Sequence, residues 1–348
     1  MAELWFAIVS LMLTAYVVLD GFDLGAGALH LLVARSDQER RQVLGAIGPF
    51  WHGNEVWLLA AGGALFVAFP RVLASGLSGF YFAFFLVLWV LILRGVAVKF
   101  RSDVDHPLWR AAWDATFAVA SASLPVLFGA AFGNLVRGLP LDGEGWFSLP
   151  LFTDFTARNP VGILDWYTVL AGLFALIAIT GHGATYLMWK SDGPVRERSR
   201  RAAGWLYGAV VVLWPFLTVV TWVVNAPMLA VLPGRPLAWL SLLVAVAGLV
   251  AVRRGVRLDR PLTAFLGSCA FLTGMLAATA ACVFPVMLRA IDRDGASLTI
   301  HNASVPATSL VTALGWWVIG APLAAAYFVI LFRLHRGTLA AAEGHEGY

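Results

Sequence analysis

The chain has 348 residues, of which 60% are hydrophobic and 13% charged, with a formal net charge of +4 and a mean hydropathy of +0.80. This composition is far more apolar than that of a soluble domain and indicates a protein that crosses a membrane several times. The positive charge does not indicate a nucleic-acid-binding protein, because the basic residues cluster in short gaps between apolar runs, where they set membrane topology.

Nine apolar runs are long enough to cross a bilayer, and they predict a single all-α transmembrane domain over 1–348. The predicted spans lie near 4–33, 50–69, 74–93, 114–136, 162–188, 202–224, 236–252, 261–287 and 307–332. The longest gap, about 137–161, is rich in Pro and Gly and is too short for more than a cap on one face. The first run has no Lys or Arg before Arg35, so we expect it to stay as a helix and not to be removed as a signal peptide.

The basic residues predict the orientation. Of the 24 Lys and Arg residues, 18 fall in the odd-numbered gaps and the C-terminal tail, and cytoplasmic loops carry such an excess. The even-numbered gaps hold the other six, together with Asp142, Glu144, Asp154, Asp292 and Asp294. The N-terminus is therefore predicted to face outward and the C-terminus to face the cytoplasm.

The first run contains an unusual polar segment, LDGFDLGAGALHLL. Asp20, Asp23, Gly27 and His30 are spaced three, four and three residues apart, so they share one helical stripe. Ionisable groups inside a membrane are costly and are candidates for a functional site. The nearby glycines allow another helix to approach, so we expect the stripe to face protein or water and not lipid.

The second run begins with polar residues, PFWHGNEVWLLAAGGALFVAFP. His52 and Glu55 lie three residues apart at its predicted cytoplasmic end, on a shared helical face. The same segment supplies candidates for interface anchoring and for tight helix packing, namely Trp51, Trp57, Gly62 and Gly63. His52 and Glu55 have a plain alternative as solvated interface residues, and Asp20 or Asp23 as hydrogen-bond partners of a neighbouring helix end.

His182, in ITGHGATYLMWK, is a further isolated polar residue, and a structural hydrogen bond is the favoured interpretation. A membrane b-type haem needs two axial histidines on facing helices, or one histidine with methionine or another ligand. The predicted spans offer only His30, His52 and His182, in no repeated pair. A haem bound by this chain alone is therefore not expected.

A series of motifs in chain order resembles subunit II of the cytochrome bd quinol oxidases. It includes DGFDLGAG (20–27), PFWHGNEVWLLAAGGALFVAFP (49–70), WRAAWD (109–114), GAAFGNLVRGLP (129–140), GATYL (183–187), VFPVML (283–288) and LTIHNAS (298–304). The most specific motifs are DGFD, AFGNLxxGxP and WxGNxVWLxxAGGALFxAxP; the last of these holds Gly53 and Asn54. Asp114 ends WRAAWD and is a secondary candidate, as is His182. The resemblance covers nearly the whole chain.

The resemblance implies a bacterial cytoplasmic-membrane complex that oxidises quinol and reduces dioxygen to water. It implies nine helices here, built as two four-helix bundles plus one. The two b-type haems and the haem d are expected in the larger subunit I and none in this chain, which has no catalytic residue of its own. Subunit I, membrane lipid, quinol and small accessory transmembrane subunits are the implied partners, and some members hold a structural quinone.

The family motif commonly has Asp where this chain has His52, and that carboxylate is associated with a proton pathway. An imidazole can still relay protons, and Glu55 could supply the carboxylate. We therefore expect Asp20, Asp23, His52 and Glu55 to line a water-containing path from the cytoplasm toward subunit I, which in some members also receives dioxygen through subunit II. Two alternatives stay open: a purely structural subunit, and an ion-coupled transporter that uses Asp20 and Asp23 at a broken helix.

Overall fold

The computed structural model describes residues 1–158, 160–291 and 296–339, most of them in long helices. Asp292 and Asp294, which enter the predicted charge distribution, lie outside this range. The helices are α1 Ala2–Val33, α2 Asp37–Ile47, α3 Trp51–Ala68, α4 Pro70–Gly79, α5 Tyr81–Phe100, α6 Pro107–Arg137, α7 Trp166–Lys190, α8 Gly193–Val224, α9 Ala226–Ala230, α10 Pro236–Arg257, α11 Pro261–Val283 and α12 Ala307–Leu334. Two short antiparallel strands, β1 Val286–Leu288 and β2 Leu298–Thr299, follow α11.

Among the described residues, eight helices are long and apolar enough to cross a membrane: α1, α5, α6, α7, α8, α10, α11 and α12. The chain is thus an all-α integral membrane protein. Helix α3 coincides with the predicted span 50–69, but His52, Asn54 and Glu55 occupy its first two turns and lower its hydropathy below that of the other eight.

The structure differs from the predicted span at 74–93. Helix α4 ends at Gly79, and α5 starts at Tyr81 and continues through Arg94 to Phe100. The predicted span stops at Arg94 because a lone guanidinium is costly in a membrane. In the structure Arg94 is buried beside a carboxylate, and this ion pair offsets the cost.

Helix α11 ends earlier than predicted. Its last residue is Val283, four residues before the end of the predicted span at 287, because Pro285 cannot donate a helical hydrogen bond.

The transmembrane helices form two groups. Helices α1, α3, α5 and α6 pack together, as do α7, α8, α10 and α11, and the groups meet where α7 contacts α1 and α6. A Cβ added to Gly25 would lie 2.1 Å from the carbonyl oxygen of Ile179, and one added to Gly183 would lie 2.2 Å from the carbonyl carbon of Gly25. Glycine is required at both positions, because the backbones of α1 and α7 are in contact.

Glycines on α3 behave differently from the prediction. A Cβ added to Gly53 would meet the Tyr327 ring of α12 at 3.1 Å, but one added to Gly62 or Gly63 would meet nothing within 4 Å. Tight packing at Gly62 and Gly63 is therefore not found within the described chain. The reason is that this surface of α3 faces away from the neighbouring helices.

Opposite ends of the bundle differ in character. At one end, which we call the cap end, the loop after α6 buries apolar side chains that include Leu139, Phe147 and Ile163 against α1, α3 and α4. Asp165 caps α7 by accepting from Tyr167 N and Thr168 N, and it pairs with Arg137. We call the other end, where α2 lies, the arginine-rich end.

Candidate functional site: a buried acidic cluster between α1, α3 and α5

A buried ion pair lies at the centre of the candidate site. Arg94 of α5 donates from Nη2 to Asp20 Oδ1 at 2.9 Å and from Nη1 to Asp20 Oδ2 at 3.3 Å. Both side chains are almost completely buried. A guanidinium bound to both carboxylate oxygens is the arrangement that best offsets the loss of hydration of two buried charges.

Asp23, one turn farther along α1, has a neutral amide as its partner and not a guanidinium group. Its Oδ2 accepts from Asn54 Nδ2 at 2.7 Å, and the same amide also donates to the Leu19 carbonyl at 3.1 Å. Asp23 and Asn54 are both fully buried. The amide of α3 therefore holds the second carboxylate without neutralising it.

Two further side chains complete the group. Arg94 interacts electrostatically with Tyr16 and Glu55 as well as with Asp20 and Asp23, and Glu55 is half-buried. We call the set Tyr16, Asp20, Asp23, Asn54, Glu55 and Arg94 the acidic cluster. It joins three carboxyl groups to one guanidinium, and Glu55 connects it to the surface of α3.

Several polar atoms of the acidic cluster have no hydrogen-bond partner among the described residues. These buried atoms are Tyr16 Oη, Asp23 Oδ1, Asn54 Oδ1 and Arg94 Nε. Buried polar atoms of this kind are the usual binding positions of internal water. The acidic cluster therefore has unpaired donors and acceptors that are suited to hold water beside Asp23 and Arg94.

His52 lies apart from the acidic cluster. It is exposed at the start of α3, and its ring lies over the Trp51 ring at a centroid distance of 3.5 Å. The expected grouping of His52 with Glu55 and the two aspartates is therefore found only for Glu55. The three-residue spacing places the two side chains on neighbouring, not identical, directions around α3, so that Glu55 is half-buried whereas His52 is exposed.

The tryptophans of the same segment also differ from the prediction. Trp51, expected to be an interface anchor, is buried, and its ring packs beside Gly95 of α5, 3.6 Å from an added Cβ. Trp57 packs against Phe328 of α12 at a centroid distance of 6.0 Å. Both rings therefore contribute to helix packing.

His30 belongs to a second polar group, nearer the arginine-rich end. Its Nε2 lies 2.8 Å from Asp114 Oδ1, to which Arg101 Nε also donates at 2.6 Å, and Arg40 Nη1 donates to Asp114 Oδ2 at 3.0 Å. Arg101 Nη2 continues to Asp37 Oδ1 at 2.6 Å. This group joins α1, α2, α6 and the end of α5. The predicted single stripe on α1 is thus divided between two sites.

His182 has partners at both ring nitrogens. Nε2 donates to the Val18 carbonyl at 2.8 Å, and Nδ1 lies 2.7 Å from Ser268 Oγ. Its ring stacks on Phe265 at 5.3 Å. This arrangement ties α7 to α1 and α11, as the favoured structural interpretation predicts.

Sequence reasoning missed Arg94 and Arg101 as site residues, because it assigned both to a solvent-facing gap. The apolar segment GVAV (95–98) directly after Arg94 is the signal that α5 continues past this arginine. The structure also does not favour the transporter alternative. Helix α1 is unbroken from Ala2 to Val33, and both oxygens of Asp20 are bound to Arg94.

Comparison with known proteins decides the family. Residues 1–335 match the family model described as cytochrome bd terminal oxidase subunit II. The chain belongs to this family. It is a multi-pass protein of the bacterial cytoplasmic membrane and a subunit of a respiratory quinol oxidase complex.

Among bd-oxidase relatives, the chain is 32% identical over 329 residues to the cytochrome bd-I ubiquinol oxidase subunit 2 of Escherichia coli K12, covering 86% of this chain and 85% of that protein. It is 35% identical over 211 residues to the cytochrome bd ubiquinol oxidase subunit 2 of Bacillus subtilis, covering 60% of each chain. A chain of the solved bd oxidase from Geobacillus thermodenitrificans has the same fold, with a TM-score of 0.72 at 15% identity over 96% of this chain and 98% of that one.

Oxidases of the bd family carry haems, and histidine is a common axial ligand of haem iron. His182 uses both ring nitrogens, His30 is fully buried with Nε2 bound to Asp114, and His52 lies on the exterior. No group of three or more His, Cys, Asp and Glu suited to a metal occurs in the parts of the chain that the structure describes. These residues do not fit a pair of axial haem ligands.

Proposed function

We propose that this chain is the haem-free subunit II of a bd-type quinol:dioxygen oxidoreductase, and that its acidic cluster conducts protons toward the haem-bearing subunit I. In this proposal it spans the membrane nine times as one domain, with α3 as the ninth span, the cap end outside and the arginine-rich end in the cytoplasm. The family match and the positive-inside distribution of Lys and Arg support this assignment.

The observation that carries the proposal is that the acidic cluster has three carboxyl groups but only one guanidinium group. Arg94 can neutralise one carboxylate and is bound to Asp20, whereas Asp23 has an amide partner and Glu55 is half-buried. A buried carboxylate without a cation is stabilised by taking up a proton. Asp23 and Glu55 are therefore suited to accept and release protons, and Asp20 and Arg94 to hold the cluster in place.

The chemistry of the complex requires such a path. Reducing dioxygen to water consumes four protons for four electrons, and a bilayer core provides no relay for them. In the proposed path His52, exposed beside Trp51, collects protons at the surface of α3, Glu55 receives them, and water held by the cluster passes them to Asp23. The partner subunit would cover apolar surfaces such as those of α3 and α12.

The test uses the intact oxidase complex with Glu55→Gln and Asp23→Asn, which keep side-chain size but cannot ionise. We expect quinol-dependent oxygen uptake to fall by about a hundredfold, with an unchanged reduced-minus-oxidised haem spectrum. Glu3→Gln, an exposed acid on the same helix as Asp23, is the control and should leave uptake unchanged.

Two outcomes would contradict the proton path in different ways. Normal oxygen uptake in both variants would place the path elsewhere in the complex. Loss of the haem bands would show that the acidic cluster stabilises subunit I and carries no protons, which is the structural alternative.

A further inference from the structure

A groove between α8 and α10 lies at the arginine-rich end, away from the acidic cluster. Its main cavity has a volume of about 450 Å³ and is lined by side chains that include Arg201, Trp205 and Arg257. A second cavity of about 70 Å³ adjoins it and adds Val252 and Arg253. Because the two share Gly204, Val256 and Arg257, we treat them as one site, the α8–α10 groove.

Small residues on α8 keep the groove open. A Cβ added to Gly204 would meet only Val256 Cγ1, at 3.8 Å, and one added to Gly208 would meet nothing within 4 Å. Ala203 and Val252 form part of the floor and are fully buried. The groove therefore has an apolar floor that α8 and α10 do not fill by themselves.

The rim of the groove carries positive charge that is not neutralised. Arg253 and Arg257 are exposed, and their guanidinium groups form no hydrogen bond or ion pair with the part of the chain that is described. Arg201 has only Glu197, 3.6 Å away on the same helix. Arg200 also lines the groove but already has a hydrogen-bond partner, because its Nε donates to the Val256 carbonyl at 2.9 Å. Three arginines thus face one carboxylate.

The groove leads from this charged rim to a lipid-facing surface. Trp205 is 83% exposed at the rim, and farther along α8 Val212, Phe216 and Val219 are 69%, 52% and 64% exposed. A tryptophan at the boundary between arginines and an apolar surface is typical of the membrane interface. A ligand that satisfies both parts must be amphiphilic, with an anionic head and an apolar tail.

We propose that the α8–α10 groove binds an anionic membrane phospholipid of the phosphatidylglycerol class, with its phosphate between Arg253, Arg257 and Arg201 and an acyl chain along α8. One guanidinium group can donate two parallel hydrogen bonds to two oxygens of the same phosphate. Basic pockets between transmembrane helices are a known form of headgroup site. The lipid would fill the groove that α8 and α10 leave open at this end, and so would add to the contacts that hold the two helices together.

The test measures lipid binding to the intact, delipidated oxidase complex by native mass spectrometry. Dioleoylphosphatidylglycerol and dioleoylphosphatidylcholine are added separately to wild type, to the double variant Arg253→Gln/Arg257→Gln and to Arg254→Gln. Arg254 is the matched control, because it lies in the same exposed turn of α10 and does not line the groove.

We expect wild type and Arg254→Gln to bind one phosphatidylglycerol about thirtyfold more tightly than the double variant does. Phosphatidylcholine should bind weakly to all three, and 0.5 M salt should weaken the wild-type affinity. Equal phosphatidylglycerol binding by the double variant and Arg254→Gln would overturn the proposal, as would equal binding of the two lipids. Displacement by glycerol 3-phosphate would reveal a soluble-phosphate site instead.

A second variant keeps the test decisive if the double variant does not assemble. Arg201 is two-thirds exposed and paired only with Glu197, so Arg201→Gln should leave folding intact. It should weaken phosphatidylglycerol binding about fivefold, as expected for one charge. Unchanged binding would contradict the proposed position of the phosphate.

Discussion

At the scale of single residues, the membrane part of this protein is organised by charges that have partners. Asp20 is bound by Arg94, and Asp114 by His30, Arg40 and Arg101. Breaking a buried ion pair by removing one member leaves a charge without compensation, whereas removing both members removes the cost as well. The ion pair at Asp20 can therefore be examined by a double-mutant cycle.

We expect Arg94→Gln to lower the stability of the complex by about 3–5 kcal/mol, because Asp20 is left buried without a cation. Thermal unfolding of the purified complex measures this loss. The double variant Asp20→Asn/Arg94→Gln should recover part of it, since no isolated charge remains. If the double variant is as unstable as Arg94→Gln, the loss does not come from the unpaired Asp20.

At the scale of helices, contacts between α1 and its neighbours determine where the polar groups meet. The backbones of α1 and α7 touch at Gly25 and Gly183, and this close approach fixes the rotation of α1. Helix α2 is held to α8 by a different contact, in which Glu39 accepts a hydrogen bond from Arg198 of α8 at 2.6 Å.

Gly25→Ala should destabilise the complex by about 3 kcal/mol, the upper end of the usual cost of overpacking, because the new Cβ would meet backbone atoms of α7 that cannot move independently. Its matched control is Gly208→Ala, which adds the same methyl group to open space on α8. Assembly yield and thermal unfolding measure both. Equal behaviour of the two variants would show that α1 and α7 can separate without loss.

Arg198 lowers the pKa of Glu39 to about 2 from an ordinary value of 4.5. Because the folded-state pKa is the lower one, the stabilising contribution is fully present above pH about 4.5 and is lost as the pH falls toward 2. The difference in unfolding temperature between wild type and Glu39→Gln should therefore be constant from pH 7 to 5 and then shrink. Glu197→Gln, at an exposed acid, should show little difference at any pH. A wild-type advantage that grows on acidification would contradict this assignment.

At the scale of the whole molecule, two groups of four helices leave wide apolar surfaces open. On α12, Trp316, Leu323 and Leu334 are each two-thirds exposed or more. The most apolar stretch of this helix has no residue buried against the part of the chain that the structure describes. Lipid or a partner subunit must cover these surfaces. Membership of the bd-oxidase family makes subunit I the expected partner.

We expect a tagged form of this chain, extracted gently from its native membrane, to carry a larger subunit together with b-type and d-type haem bands in the reduced-minus-oxidised spectrum. The bands should vanish when the gene for the larger subunit is deleted. A chain that purifies alone and colourless from both strains would contradict the proposed assembly. Haem bands that persist without the larger subunit would contradict a haem-free chain.

Sequence by itself determined that this is a helical protein of the membrane and which family it belongs to, because the length of an apolar run and the order of short motifs are local properties. It also identified Asp20, Asp23 and Glu55 as costly groups in a membrane. The partners of those groups depend on how helices distant in sequence are rotated and placed. Only the tertiary structure showed that Arg94 enters the membrane to bind Asp20, because the cost of burying a guanidinium is offset only once a carboxylate from another helix is beside it.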